Sequence, residues 1–135
     1  MSQSEITSPN EFSSPPGKRI LVVDDHEDSS RSLELMLQAM GHQTQVAADG
    51  IDALRKANAF QPDIVFLDLS MPKLDGYDTC GVMRAQPWGA KVFVVAVTGL
   101  EPEAIRQHPR GTEFDYYLRK PVEFSAIQEL VAWQQ

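Results

Sequence analysis

The sequence predicts an α/β fold: a doubly wound parallel sheet of five strands with helices on both faces. Two observations carry that expectation. Short, continuous apolar runs, clearest at Ile20-Leu21-Val22-Val23 and Ile64-Val65-Phe66-Leu67, have the composition of strands buried on both sides, not the alternation of a half-exposed sheet. Between these runs, apolar residues recur three and four apart, as in helices that cover a sheet. The 135 residues suffice for one domain with a modest core and are too few for a second.

Residues 1–17 are rich in Ser, Pro, Glu and Asn and close on Pro15-Pro16-Gly17, so they read as a disordered leader or linker ahead of a domain over 18–135. The first strand begins at Arg19 and runs into Asp24-Asp25. From His26 to Met40 a first helix sets Leu33, Met36, Leu37 and Met40 on one stripe, and Gly41 stops it. Thr44 to Ala47 is a second strand. Gly50 to Ala59 is a second helix with Ile51, Leu54 and Ala57 expected inward, separated by Pro62 from the third strand, Asp63 to Leu67. That strand ends at Asp68. A loop from Met71 to Gly76 leads to a third helix, Tyr77 to Met83, broken before Pro87. Lys91 to Val97 is the fourth strand and ends at Thr98-Gly99. Glu101 to His108 is helical by propensity, with Pro109 and Gly111 interrupting its end. Phe114 to Leu118 is a short fifth strand, followed by Arg119-Lys120-Pro121. The final amphipathic helix, Glu123 to Trp133, turns Phe124, Ile127, Leu130, Val131 and Ala132 inward.

Composition narrows the function. Hydrophobic residues make up 42% and charged residues 23%, as in a globular protein. The net charge of −7, from 19 acidic and 12 basic residues, disfavours direct binding to a nucleic-acid backbone. The single cysteine, Cys80, allows no internal disulfide and fits a reducing compartment, where it reads as a small apolar filler. No apolar stretch approaches the roughly 20 residues needed to span a bilayer. The first residues lack the charged start and apolar core of a secretory signal, so a cytoplasmic location is expected.

In a doubly wound sheet the residues just after the strands gather at one edge, and ligands bind there. The strand ends carry Asp24, Asp25, Asp68, Thr98, Gly99 and, after the fifth strand, Lys120. Any one aspartate in such a place is usually a loop or helix-cap residue. Three carboxylates, a hydroxyl and an ammonium at matching ends weaken that reading. The carboxylates would repel one another without a cation between them, and an all-oxygen donor set suits Mg²⁺. A metal, a cationic side chain and a hydroxyl donor are also what phosphoryl transfer needs, with Asp68 as the nucleophile that becomes an aspartyl phosphate.

Four motifs, in order, carry a family resemblance. Ile20 to Asp25, Val65 to Gly76 (VFLDLSMPKLDG), Val97-Thr98-Gly99 and Tyr117-Leu118-Arg119-Lys120-Pro121 resemble the receiver domain of bacterial two-component signalling, from about Lys18 to Trp133. The resemblance implies a flavodoxin-like strand order 2-1-3-4-5. It implies that Asp68 takes a phosphoryl group from the phosphohistidine of a histidine kinase or histidine phosphotransfer protein. Mg²⁺ would be held by Asp24, Asp25, Asp68 and the backbone carbonyl of Ser70, with Asp25 ligating directly and Asp24 partly through water. Thr98 would be the switch hydroxyl, Gly99 the small residue beside the phosphate, and Lys120 the partner of a phosphoryl oxygen. A cis bond before Pro121 is implied, and Tyr117 would turn inward when Thr98 moves, altering a face made by the fourth helix, fifth strand and last helix.

The implied module phosphorylates itself and loses phosphate slowly, because Ser70 and Leu100, two residues beyond Asp68 and Thr98, offer no acid or amide to position water. It is not an enzyme acting on external substrates, and its output passes to a downstream protein or an attached effector domain. The Thr98-Gly99 pair resembles receivers of hybrid histidine kinases. His26 reads as a polar residue opening the first helix, His42 and His108 as surface residues, and Trp88 and Trp133 as core edges. Three other functions are weighed: a constitutive interaction module, a small metal-dependent phosphohydrolase, and a dinucleotide-binding domain. The complete acidic set argues against the first and the lack of a cap segment against the second. Asp-Asp in place of a glycine-rich turn argues against the third.

Overall fold

The structure, a computed structural model, describes residues 17–70, 76–99, 103, 107 and 113–132. Strands β1 (Arg19–Val23), β2 (Gln43–Ala47), β3 (Ile64–Asp68), β4 (Phe93–Thr98) and β5 (Tyr116–Arg119) form one parallel sheet in the order β2-β1-β3-β4-β5. Helices α1 (Glu27–Ala39), α2 (Gly50–Phe60), α3 (Gly76–Arg84) and α4 (Phe124–Ala132) pack on it. This is the doubly wound, flavodoxin-like order expected. The order in which successive strands are added reverses between β1 and β3, which opens a crevice at their carboxyl ends. No helix among the described residues is long and apolar enough to cross a membrane.

Alternate side chains of each strand enter opposite cores. Ile20, Val22, Ile64, Phe66 and Val95 pack under Leu33 and Leu37 of α1 and Ile127, Leu130 and Val131 of α4. Leu21, Val23, Val65, Leu67, Val94 and Ala96 pack under Ala53 and Ala57 of α2 and Cys80 and Met83 of α3. Cys80 is fully buried, and burial pushes its thiol up to about 11, which leaves it an inert filler as expected.

Local signals set the helix ends. After α1, Met40 is the C-cap and Gly41 takes φ +94°, the left-handed region that favours glycine. The Asp49 carboxylate caps α2 by accepting the Asp52 N–H at 2.8 Å.

Two large side chains expected inward face solvent: Ile51 is 83% exposed and Phe124 43%. In α2 the inward stripe is Gly50, Ala53 and Ala57, small residues that let the helix lie close to the sheet, and Ile51 falls one step around the helix from it. In α4 the stripe of Ile127, Leu130 and Val131 is buried, whereas Phe124 begins the helix, where little of the opposing layer lies against it. Ala132 is exposed as well. Strand bounds also shift by a residue or two: Asp68 and Thr98 close β3 and β4, and Asp63, Lys91 and Val92 precede them. Residues 1–16 of the leader expected over 1–17, residues 71–75 of the loop expected over 71–76, Leu100, Trp133 and most of the helix expected over 101–108, His108 included, lie outside the described residues. Of that helix, the Gln107 N–H donates to the Glu103 carbonyl at 3.1 Å.

Candidate functional site

Asp68 is the last residue of β3 and only 2% exposed. The sheet's hydrogen bonding continues past the strand ends: the Leu69 N–H donates to the Val97 carbonyl at 2.9 Å, and the Lys120 N–H donates to the Thr98 carbonyl at 2.7 Å. That continuation brings Lys120, two strands away, over Asp68. Its Nζ donates to Asp68 Oδ2 at 2.8 Å and to Ser70 Oγ at 3.3 Å. Asp68 Oδ1 accepts the Ser70 N–H at 2.8 Å and the Ser70 hydroxyl at 2.6 Å. Burial is the largest single influence on the Asp68 carboxyl and pushes its pKa up; the hydrogen bonds from Lys120 and Ser70 together outweigh it and hold Asp68 below the usual carboxylate range.

Asp24 follows β1 and is buried, and its N–H donates to the Ala47 carbonyl at 3.0 Å. Its Oδ1 accepts the His26 N–H at 2.9 Å and its Oδ2 accepts the Ser29 hydroxyl at 2.7 Å. Asp25 is more exposed, and its Oδ1 lies 3.1 Å from His26 Nδ1. One ligand atom each from Asp24, His26 and Asp68 fall within 4.8 Å of one another. Asp25, expected to ligate directly, is outside that group of three.

Thr98 is 2% exposed at the end of β4, two strand-spacings from β1. Gly99 is exposed, and a Cβ placed on it would meet no atom within 4 Å. The Lys120–Pro121 peptide is cis. Tyr117 is half-buried on β5 and packs edge-on against Phe114, with ring centroids 6.3 Å apart; Phe114 in turn packs against Tyr77 at 5.4 Å.

The donor chemistry fits a hard divalent cation. Asp24 and Asp68 present buried carboxylate oxygens in one cluster, and Lys120 offsets the charge of only one of them. Sequence reasoning missed three participants. The Ser70 hydroxyl, the Ser29 hydroxyl and the His26 ring all touch the acidic groups, although only the carbonyl of Ser70 was expected to matter. Ser29 had a readable signal: it sits in the first turn of a helix that starts directly after Asp24 and Asp25, where side chains point back at the preceding loop.

A five-stranded doubly wound sheet whose carboxyl edge holds a buried, lysine-bridged aspartate beside a second buried aspartate defines a phosphoaccepting signalling domain. The chain belongs to the response regulator receiver domain family, whose sequence pattern it matches over residues 20–132. Protein PilG of Pseudomonas aeruginosa is 32% identical over 105 residues, 78% of each chain. The receiver domain of the sensor histidine kinase PA1611 of the same species, with a magnesium ion coordinated in its active-site cleft, is 30% identical with a TM-score of 0.79, covering 87% of this chain and 97% of that one. Response regulator TrrA of Thermotoga maritima, in complex with Mg(2+)-BeF, is 29% identical with a TM-score of 0.78, covering 87% and 99%. Other curated relatives are far longer, and the chain spans between 12% and 47% of their length.

Proposed function

We propose that Asp68 accepts a phosphoryl group from the phosphohistidine of a histidine kinase or histidine phosphotransfer protein, in a Mg²⁺-dependent reaction within the cytoplasm. The observation that carries this reading is the buried Asp68 carboxylate, held ionised between the Lys120 ammonium at 2.8 Å and the Ser70 donors, next to a second buried aspartate. The domain is taken to run over 18–135, with residues 1–17 as leader or linker.

In the reaction an Asp68 oxygen bonds to phosphorus as the P–N bond breaks and the imidazole departs with its electron pair. Asp24, Asp25, Asp68 and the Ser70 carbonyl would hold Mg²⁺, which would offset charge on the phosphoryl oxygens. Lys120 reaches over Asp68 from its contact with Oδ2 to pair with a phosphoryl oxygen, and Thr98 donates its hydroxyl to another. Gly99 leaves space at the same edge, consistent with entry of the group beside it. Drawing Thr98 toward phosphate vacates volume into which Tyr117 turns, and the β5 face read by a downstream protein or attached effector changes with it. The adduct is long-lived, since Ser70 supplies neither an acid nor an amide to align water.

Intact-mass spectrometry after incubation with Mg²⁺ and a small phosphodonor tests the reading. One phosphoryl group is expected, absent without Mg²⁺ and absent in Asp68→Asn, and persisting well beyond seconds. Mg²⁺ binding without an adduct from either a small donor or a phosphohistidine donor would instead indicate a constitutive interaction module.

A further inference from the structure

We propose that His26 makes this acidic site selective for first-row transition cations, Zn²⁺ foremost, with its Nδ1 as a nitrogen ligand beside Asp24. The inference rests on the reading of the same carboxylates as a Mg²⁺ site and adds a residue that changes which cation they prefer.

The imidazole is placed for this. His26 is the N-cap of α1, yet its side chain makes no capping hydrogen bond, so the ring is not used at the helix end. Instead Nδ1 stands 3.3 Å from Asp24 Oδ1 and 3.1 Å from Asp25 Oδ1. Zn–N and Zn–O bonds of about 2.0–2.1 Å in a tetrahedron separate neighbouring ligand atoms by about 3.3–3.4 Å. The nitrogen and either carboxylate are therefore already spaced as two corners around one such ion. Asp68 contributes a ligand atom to the same cluster, within 4.8 Å, and the ring is 63% exposed, open to an ion arriving from solvent.

Chemistry then separates the cations. Mg²⁺ takes oxygen ligands, keeps several waters and gains little from an imidazole. Zn²⁺, Ni²⁺ and Cu²⁺ favour imidazole nitrogen and bind a given N/O site more tightly than the earlier divalent ions. Because Asp24 serves both modes, a transition cation bound through His26 competes with Mg²⁺ for it, and the phosphoacceptor is then deprived of its working metal.

Titration calorimetry of metal-free protein with ZnCl₂ and separately with MgCl₂ tests this, in the wild type, in His26→Gln and in His42→Gln/His108→Gln. Histidine-selective ¹⁵N spectra supply a readout independent of phosphorylation. Loss of the nitrogen ligand is expected to weaken Zn²⁺ by about tenfold or more in His26→Gln while Mg²⁺ affinity stays within about twofold. The double variant should keep wild-type Zn²⁺ binding, and the His26 Nδ1 resonance should show the large shift of direct coordination with Zn²⁺ and only a small one with Mg²⁺. Equal Zn²⁺ affinity in wild type and His26→Gln, or a shift at His42 or His108 in place of His26, overturns the proposal while leaving the Mg²⁺ reading intact. Failure of Mg²⁺ to bind, with Zn²⁺ still dependent on His26, overturns the Mg²⁺ reading alone.

Discussion

Both ends of the sheet concentrate charge, but with different partners. At the carboxyl end the charged groups meet mostly side chains: Asp68 meets Lys120 and Ser70, Asp24 meets Ser29, and His26 stands between Asp24 and Asp25, with the amides of Ser70 and His26 as backbone donors from the loops beyond the strands. At the amino end the Arg84 guanidinium, closing α3, donates to the backbone carbonyls of Gly89 at 3.1 Å, Glu113 at 3.0 Å and Val92. It also pairs with Asp115 at 2.5 Å, whose carboxylate accepts the Val94 N–H. Side-chain partners can be exchanged for a metal or a phosphoryl group without unpairing the strands. Carbonyls and amides that lead into β4 and β5 cannot be exchanged without moving the backbone. The amino end is thus built to hold and the carboxyl end to react.

The largest expected effect breaks that comparison at its tightest point. A Cβ on Gly89 would lie 1.6 Å from the Met83 carbonyl oxygen, whereas one on Gly99 meets nothing within 4 Å. Gly89→Ala should therefore cost roughly 3 kcal/mol in urea unfolding, since backbone must shift, and Gly99→Ala within about 0.5 kcal/mol. Similar losses in the two variants would show that the ends are equally tolerant.

Arg84→Met should cost about 2 kcal/mol by leaving carbonyls and the Asp115 carboxylate without their charged donor. It should leave the yield of phosphorylated Asp68 unchanged under conditions where the variant is folded. A proportional fall in yield would mean that the two ends are coupled.

The smallest effect is in the pH dependence of the metal-free protein. His42, which accepts the Lys18 N–H at 2.9 Å, is held below its ordinary pKa by burial first and by the nearby Lys18 charge second. The unfolded chain therefore takes up this proton first, so the stability His42 contributes is complete above the ordinary histidine range, near pH 6.5, and is lost as pH falls through the depressed folded value. Asp68, also depressed, contributes stability above the ordinary carboxylate range, near 3.8, that is lost on further acidification. Melting temperature against pH should fall in two stages, and His42→Gln should remove the upper one alone.

Much of the carboxyl edge was legible in the sequence. Parallel strands deliver their last residues to one side, so reading strand ends is enough to collect Asp24, Asp68, Thr98 and Lys120 before any contact is known. Their hydrogen bonds were not legible: Lys120 and Asp68 are 52 residues apart, and their pairing depends on how the chain leaves β4 and β5. The Arg84 clamp was invisible for the same reason, because three of its acceptors are backbone oxygens that carry no sequence signal. Ile51 misled the helix reading because hydrophobicity reports what a side chain prefers, while burial needs an opposing layer.

By itself the sequence determined the layered fold, the succession of elements and the residue types standing at each strand end, because periodicity, turn chemistry and apolar runs act over a few neighbouring residues. Only the tertiary structure decided which oxygen of Asp68 meets Lys120 and which meets Ser70, that His26 stands between Asp24 and Asp25, and that Gly89 has no room for a methyl group. The Lys120 contact depends on the approach of segments 52 residues apart, and the short-range ones on how tertiary packing sets the backbone path of the loops after β1, β3 and α3, to within a fraction of an ångström, a scale at which local propensity carries no information.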